Sequence, residues 1–288
     1  MCLQGLGEPA MGLTAEQSAN WRRDGFLAIE GFASPTACAG LRQRMAELVA
    51  AFDPAGVTTV FRTDDQGHGR DRYFLESGDK IRFFFEADAF DAEGRLRRPK
   101  ELSLNKVGHA LHDLDPAFDR FSRDPRLAEV ARAIGLSQPL LIQSMYIFKQ
   151  SHIGGEVHCH QDSTFLHTSP ESCTGFWFAL EDATIENGCM WAEPGGHRRP
   201  LHQQFVRHGT GTALVTLDPA PLPVEGLAPI EAPEGTLVLL HGRLPHRSGA
   251  NGSARSRHAY ALHLVDGACT YGAENWLRRP PNMPPRGF

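Results

Sequence analysis

His160, Gln161 and Asp162 stand in a row near the middle of the chain. In an extended segment residues two apart project to one side, so this imidazole and this carboxylate can share a metal ion. The pair alone is weakly specific: with 14 histidines in 288 residues, about one H-x-D is expected by chance. What raises its weight is His246, just after the apolar run GTLVLLHG, and Arg257 at the start of the next, RHAYALHLV. Two imidazoles and one carboxylate leave three adjacent positions open on an octahedral ferrous ion. 2-Oxoglutarate can fill two of them through its keto oxygen and neighbouring carboxylate, and O₂ the third. Its far carboxylate then needs a fixed cation, and the forked guanidinium of an arginine suits that group. An ordinary salt bridge is the competing role for Arg257.

Other histidines compete with these. His241 ends a strand-like run and is an alternative distal ligand, while His158 is expected at the rim of the site. His109 and His112, three apart, are read as a helix surface without a third metal partner. No H-E-x-x-H supports a zinc hydrolase, and G-x-S-x-G, Walker and G-x-G-x-x-G motifs are missing. A jelly-roll protein that binds a metal or small acid without turnover remains the alternative to an enzyme. Asp162 itself disfavours halogenation, which needs a small residue there to admit a halide.

The elements that must position these residues divide into two stretches. Thr14 with Gln17 is a capping box that opens a helix, and Gly25 can close it. FLAIEGF (26–32) predicts a strand, and Ser34-Pro35 starts a second helix through LRQRMAELVAAF. Residues 53–72, with Gly67 and Gly69, are expected to be a long loop. The spacing of Leu104, Val107, Leu111 and Leu114 predicts a helix, and Asp124-Pro125 starts another that stops before Gly135. After Gln138 strand-length apolar runs recur: PLLIQSMYIF, GFWFALEDA, GCMWAEPG, TALVTL, GTLVLLHG and RHAYALHLV. Turn signals such as Asn187-Gly188 and Asn251-Gly252 separate them. Helices first and many short strands later predict a mostly β fold, a sandwich or jelly roll with flanking helices. A single domain over 14–288 is expected, after a flexible lead-in at 1–13.

Composition agrees with a globular chain: 41% hydrophobic, 22% charged, with 29 Gly and 20 Pro. The net charge of −5 excludes a broad basic footprint for nucleic acid. No apolar run reaches the ~20 residues of a membrane span, and no secretory leader is evident. The six cysteines show no paired spacing, so free thiols and a cytoplasmic location are expected. A small-molecule substrate and a monomer complete these expectations. No cluster of basic residues suited to the phosphates of coenzyme A stands out.

These residues resemble the phytanoyl-CoA dioxygenase family of Fe(II)/2-oxoglutarate oxygenases. HQD at 160–162, PHRS at 245–248 and Arg257 carry the likeness. So do SGDKIRFFFE (77–86), NKVGHALH (105–112), QSMYIFKQ (143–150), EDATIENGCMW (181–191) and ENWL (274–277). The resemblance spans nearly all of the chain after residue 13. It implies a double-stranded β-helix core and a dioxygenase using Fe(II), 2-oxoglutarate and O₂. It places the iron ligands on His160, Asp162 and His246, favouring His246 over His241. It places the distal carboxylate on Arg257 with Ser248, and further 2-oxoglutarate contacts on Lys106, Met145, Gln161 and Trp177. The chain departs from the family pattern at His158-Cys159, next to the first ligand.

Overall fold

Thr14 opens helix α1 (Ala15–Asp24) by reciprocal capping: its hydroxyl accepts from the Gln17 amide, and the Gln17 side chain accepts from the Thr14 amide. Gly25 closes the helix in the left-handed region, at φ 77°, which a side chain resists. The structure is a computed structural model and describes residues 12–60 and 72–288. Most of the expected lead-in, and the loop glycines 67 and 69, therefore lie outside the described residues. Strand β1 (Phe26–Ile29) follows α1, and Ser34 caps α2 (Pro35–Ala51), with Pro35 where no amide hydrogen is needed. One helical turn, α3 (Arg72–Leu75), precedes β2 (Ile81–Phe85) and β3 (Leu104–His109). Then come α4 (Leu111–Leu114), α5 (Pro116–Ser122) and α6 (Pro125–Ala133), the last capped by Asp124 as predicted.

The second half is strand-rich. It contains β4 (Pro139–Ile147), β5 (Val157–His160), β6 (Thr168–Ser169), β7 (Thr174–Ala179) and β8 (Met190–Ala192). A hairpin of β9 (Gln203–His208) and β10 (Gly211–Thr216) follows, then β11 (Ala228–Ile230) and β12 (Leu237–His241). β13 (His246–Ser248), β14 (Ala259–Asp266) and β15 (Thr270–Tyr271) end the series.

Seven strands form one antiparallel sheet in the order β1-β12-β7-β14-β4-β3-β2, and β11-β8-β13-β5 form a smaller one. Alternation along each strand divides the side chains between two cores. Phe176, Phe178, Leu239, Tyr260 and Leu262 share a cluster with Leu41 and Met45 of α2, Phe118 of α5 and Leu127 of α6. Their neighbours Trp177, Val238, Leu240 and Ala261 turn the other way, against Met190, Ala192 and Ile230 of the small sheet. The result is a jelly roll with helices packed on one face, as predicted.

Two expectations need correction. Leu104 and Val107 lie on β3, not a helix, and only Leu111–Leu114 makes a helical turn. The cause is a bulge: Phe84 pairs with Lys106 but Phe85 with Leu104, so Asn105 is skipped. An extra residue lets positions three apart share a face, which imitates helical spacing. The predicted division into helices and then strands also fails, because β2 and β3 come from the helical half and complete the large sheet. Within the described residues Cys38, Cys159, Cys173, Cys189 and Cys269 are free thiols. None of the described helices is long and apolar enough to cross a membrane.

Candidate metal centre

His160 is the last residue of β5, and the chain turns at once into a single 3-10 turn that begins with Asp162. β13 pairs with β5 so that His246 lies directly opposite His160. Antiparallel pairing thus delivers the distal histidine to the first two candidates. Their ligand atoms all lie within 4.8 Å of one another. Asp162 Oδ1 is 3.6 Å from His160 Nε2 and 3.8 Å from His246 Nε2.

Both imidazoles are held the same way. His160 Nδ1 donates to the His158 carbonyl at 2.8 Å, and His246 Nδ1 donates to the Leu244 carbonyl at 3.0 Å. With its proton on Nδ1, each ring keeps the Nε2 lone pair for a metal, the usual outer-shell arrangement. Burial, and then the neighbouring His160, pushes His246 down to about 4, so the imidazole is neutral at ordinary pH. Burial alone would raise Asp162, but His263, His246 and His160 hold it well below the usual carboxylate range. His263 Nε2 reaches Asp162 Oδ2 at 3.3 Å, leaving Oδ1 toward the two other histidines. Gly175 makes room for that carboxylate, since a Cβ there would come within 3.1 Å of Oδ2. Two imidazoles and one carboxylate fit a divalent ion of the first transition row.

The triad opens into a cavity of about 1000 Å³. Arg257 lines it, 2% exposed, and among the described residues its Nε and Nη1 are buried without a hydrogen-bond partner. Its guanidinium lies 5.2 Å from the centre of the Trp177 ring. Burial lowers its pKa only to about 10, so it stays a cation. Arg255 is on the surface, 3.4 Å from Asp182. Ser248 is buried in the same cavity, and its hydroxyl accepts from Lys149 Nζ at 2.9 Å. Lys106 and Met145 line it too, with Lys106 Nζ 3.5 Å from the Met145 sulfur. Burial holds the Lys106 ammonium well below its ordinary range.

Gln161 has a different place from the one expected. Its Nε2 donates to the carbonyls of Pro200 (3.2 Å) and Arg243 (2.7 Å), and its Oε1 accepts from the His202 amide (2.8 Å). The side chain is fully buried, is not part of the cavity wall, and ties the metal-bearing turn to two loops. His241 packs against His197 and Trp21, with ring centroids at 5.2 and 6.1 Å, and is outside the cavity wall. His109 and His112 are fully buried rather than on a helix surface; His109 ends β3 and His112 lies in α4.

Lys149 and His263 line the cavity without having been singled out from the sequence. Strand parity was the signal: Met145 and Ile147 lead to Lys149, and Ala259 and Ala261 lead to His263 on the inward face.

A model of the family described as phytanoyl-CoA dioxygenase (PhyH) matches residues 21–259. A phytanoyl-CoA dioxygenase of Arabidopsis thaliana is 47% identical over 270 residues, covering 93% of this chain and 94% of that one. Phytanoyl-CoA dioxygenase domain-containing protein 1 of Mus musculus is 43% identical over 290 residues, covering 94% and 97%. Among solved structures, EctD from S. alaskensis with 2-oxoglutarate and 5-hydroxyectoine superposes with a TM-score of 0.61. It is 21% identical, over 89% of this chain and 77% of that one, a likeness of fold.

Proposed function

The chain belongs to the phytanoyl-CoA dioxygenase family and is a 2-oxoglutarate-dependent iron dioxygenase, and we propose that it hydroxylates a C–H bond of a small-molecule substrate, releasing succinate and CO₂. In this reading His160, Asp162 and His246 hold the iron. Bound there, ferrous iron would supply the oxidising chemistry, with O₂ and 2-oxoglutarate as cosubstrates. The protein's own part is to position and to exclude water. Arg257 grips the far carboxylate of 2-oxoglutarate with Ser248 beside it, Lys106 is a further hydrogen-bond donor that the bound dianion favours in its charged form, and Met145 and Trp177 form the apolar wall. The observation that carries the reading is Arg257: a buried cation that lines the cavity holding the triad, with Nε and Nη1 lacking a hydrogen-bond partner among the described residues. A buried, unpaired arginine is costly unless an anion completes it. Succinate release should require both Fe(II) and 2-oxoglutarate and stop on chelation. Protein that binds both and releases no succinate with any candidate metabolite would overturn the catalytic reading.

Lys149 gives this pocket a pH dependence. Burial, and then the charge of Arg257, hold its ammonium down to about 7. A dianion bound nearby favours the charged form, so binding should take up a proton near neutral pH. The affinity for 2-oxoglutarate should therefore fall as pH rises from about 6 to about 8.5, by at most roughly tenfold per unit. Lys149→Met should flatten the profile. Titration calorimetry in buffers of different ionisation enthalpy reads the proton directly, and no uptake in the wild type would place Lys149 outside the cosubstrate site.

A further inference from the structure

Strand register sorts the inward side chains of the large sheet into rows. Met145, Ala261 and Trp177 face one another in one row, and Gln143, His263 and Gly175 in the next. The first row belongs to the cosubstrate side, because Trp177 lies under the Arg257 guanidinium and Met145 beside Lys106 Nζ. The second belongs to the metal, because Gly175 and His263 both meet the Asp162 carboxylate. Gln143 ends that row, two strand spacings or roughly 10 Å from Gly175. It is 6% exposed and lines the cavity. Among the described residues its amide makes no hydrogen bond, yet neither Oε1 nor Nε2 is among the polar atoms sealed from solvent. The amide of Gln161, by contrast, is spent on three backbone groups.

We propose that Gln143 is a substrate-recognition residue, and that it reads the ring amide of a neutral cyclic molecule, a lactam or imide. Charge makes the first selection. Among the described residues no Lys, Arg, Asp or Glu lines the cavity besides Lys106, Lys149, Asp162, Arg247 and Arg257. Four of these serve the cosubstrate and metal sides, and Arg247 has Glu156 3.7 Å away. An ionic substrate beside Gln143 would find no compensating charge, which is costly in a buried site. The amide makes the second selection, since it offers a donor and an acceptor side by side. A cis amide locked in a ring returns both in one plane: its N–H donates to Oε1 and its C=O accepts from Nε2. An open-chain peptide bond is trans and points these groups apart, so only one can be met. A ketone, ether or ester only accepts, and strands Oε1. Phe165, half-buried in the cavity wall with its ring centre 6.1 Å from that of His160, gives the substrate ring an apolar face near the metal.

The inference deepens the oxygenase reading and rests on it in placing the ring's C–H bonds beside the iron. The test uses the protein loaded with Fe(II) and saturating 2-oxoglutarate under nitrogen, with the metal-to-ligand absorption band of that complex as a check. Calorimetric titration with oxindole, a benzo-fused lactam, should give saturable binding. N-methyloxindole, which keeps the carbonyl and lacks the N–H, should bind about tenfold more weakly or worse. Gln143→Met should bring oxindole down to the level of its N-methyl derivative and leave the absorption band in place. A change of packing alone would instead weaken both compounds together and keep their ratio, which would remove Gln143 from recognition. Equal binding of the two compounds to the wild type, no oxindole binding, or tighter binding of indane-2-carboxylate would each overturn the neutral-amide assignment. Loss of the band with oxindole binding kept would overturn the oxygenase reading and leave the subsite standing.

Discussion

Alanine at His160, Asp162 or His246 should each reduce Fe(II)-dependent succinate release to the metal-free background, whereas His241→Ala should retain it. The three side chains place their ligand atoms within 4.8 Å of one another, so each supplies a third of the proposed protein donor set. Losing even an outer partner of a ligand costs typically 10–100-fold in metal affinity or activity, and losing a ligand costs more. Asp162→Ala should be the most damaging of the three. It removes the one negative charge among the three side chains, and it leaves the proton of His263 Nε2 without its acceptor. Fe(II) binding measured anaerobically should fall in parallel with turnover. Wild-type turnover in His246→Ala, with loss in His241→Ala, would transfer the distal position to His241, although that ring packs on Trp21.

How much of this was legible in the sequence follows from strand geometry. His160 and Asp162 are two apart, so alternation puts them on one side, and β13 then needs only to pair with β5. The same alternation argues against Gln161 as a pocket residue, because the residue between two inward neighbours points away. Its amide is indeed fully used by backbone groups on the far side. Lys149 and His263 were within reach of parity counting, but nothing in local composition distinguished them from surface residues. The helix expected at Leu104 failed because a bulge copies helical spacing, and a bulge depends on the register of two distant strands. The partner of His109 was beyond reach altogether, since Ser77 lies 32 residues away. Order of motifs and face of strand are local properties; register and hydrogen-bond partners are not.

Arg257→Ala should weaken 2-oxoglutarate binding by about 30-fold or more, since losing a buried charge-assisted contact costs roughly 2–5 kcal/mol and each 1.4 kcal/mol is tenfold. Much of that loss comes from stranding the partner's charge in a place that water cannot reach. Parity cannot choose between Arg255 and Arg257, because they are two residues apart, both just ahead of β14. Burial does choose: Arg257 is 2% exposed and lines the cavity, with Nε and Nη1 lacking a partner among the described residues, while the Arg255 side chain is 72% exposed beside Asp182. Arg255→Ala should therefore leave 2-oxoglutarate affinity within about twofold, as for an exposed ion pair. Arg257→Lys should recover only part of the loss, since an ammonium cannot present two parallel N–H groups to one carboxylate. Iron affinity without 2-oxoglutarate should be unchanged in all three variants, because the His160, Asp162 and His246 donors are untouched. That separation matters: a variant that had merely lost its fold would lose iron as well. Equal 2-oxoglutarate affinity in wild type and Arg257→Ala would remove Arg257 from the site. Its Nε and Nη1, buried without a partner among the described residues, would then need some other acceptor.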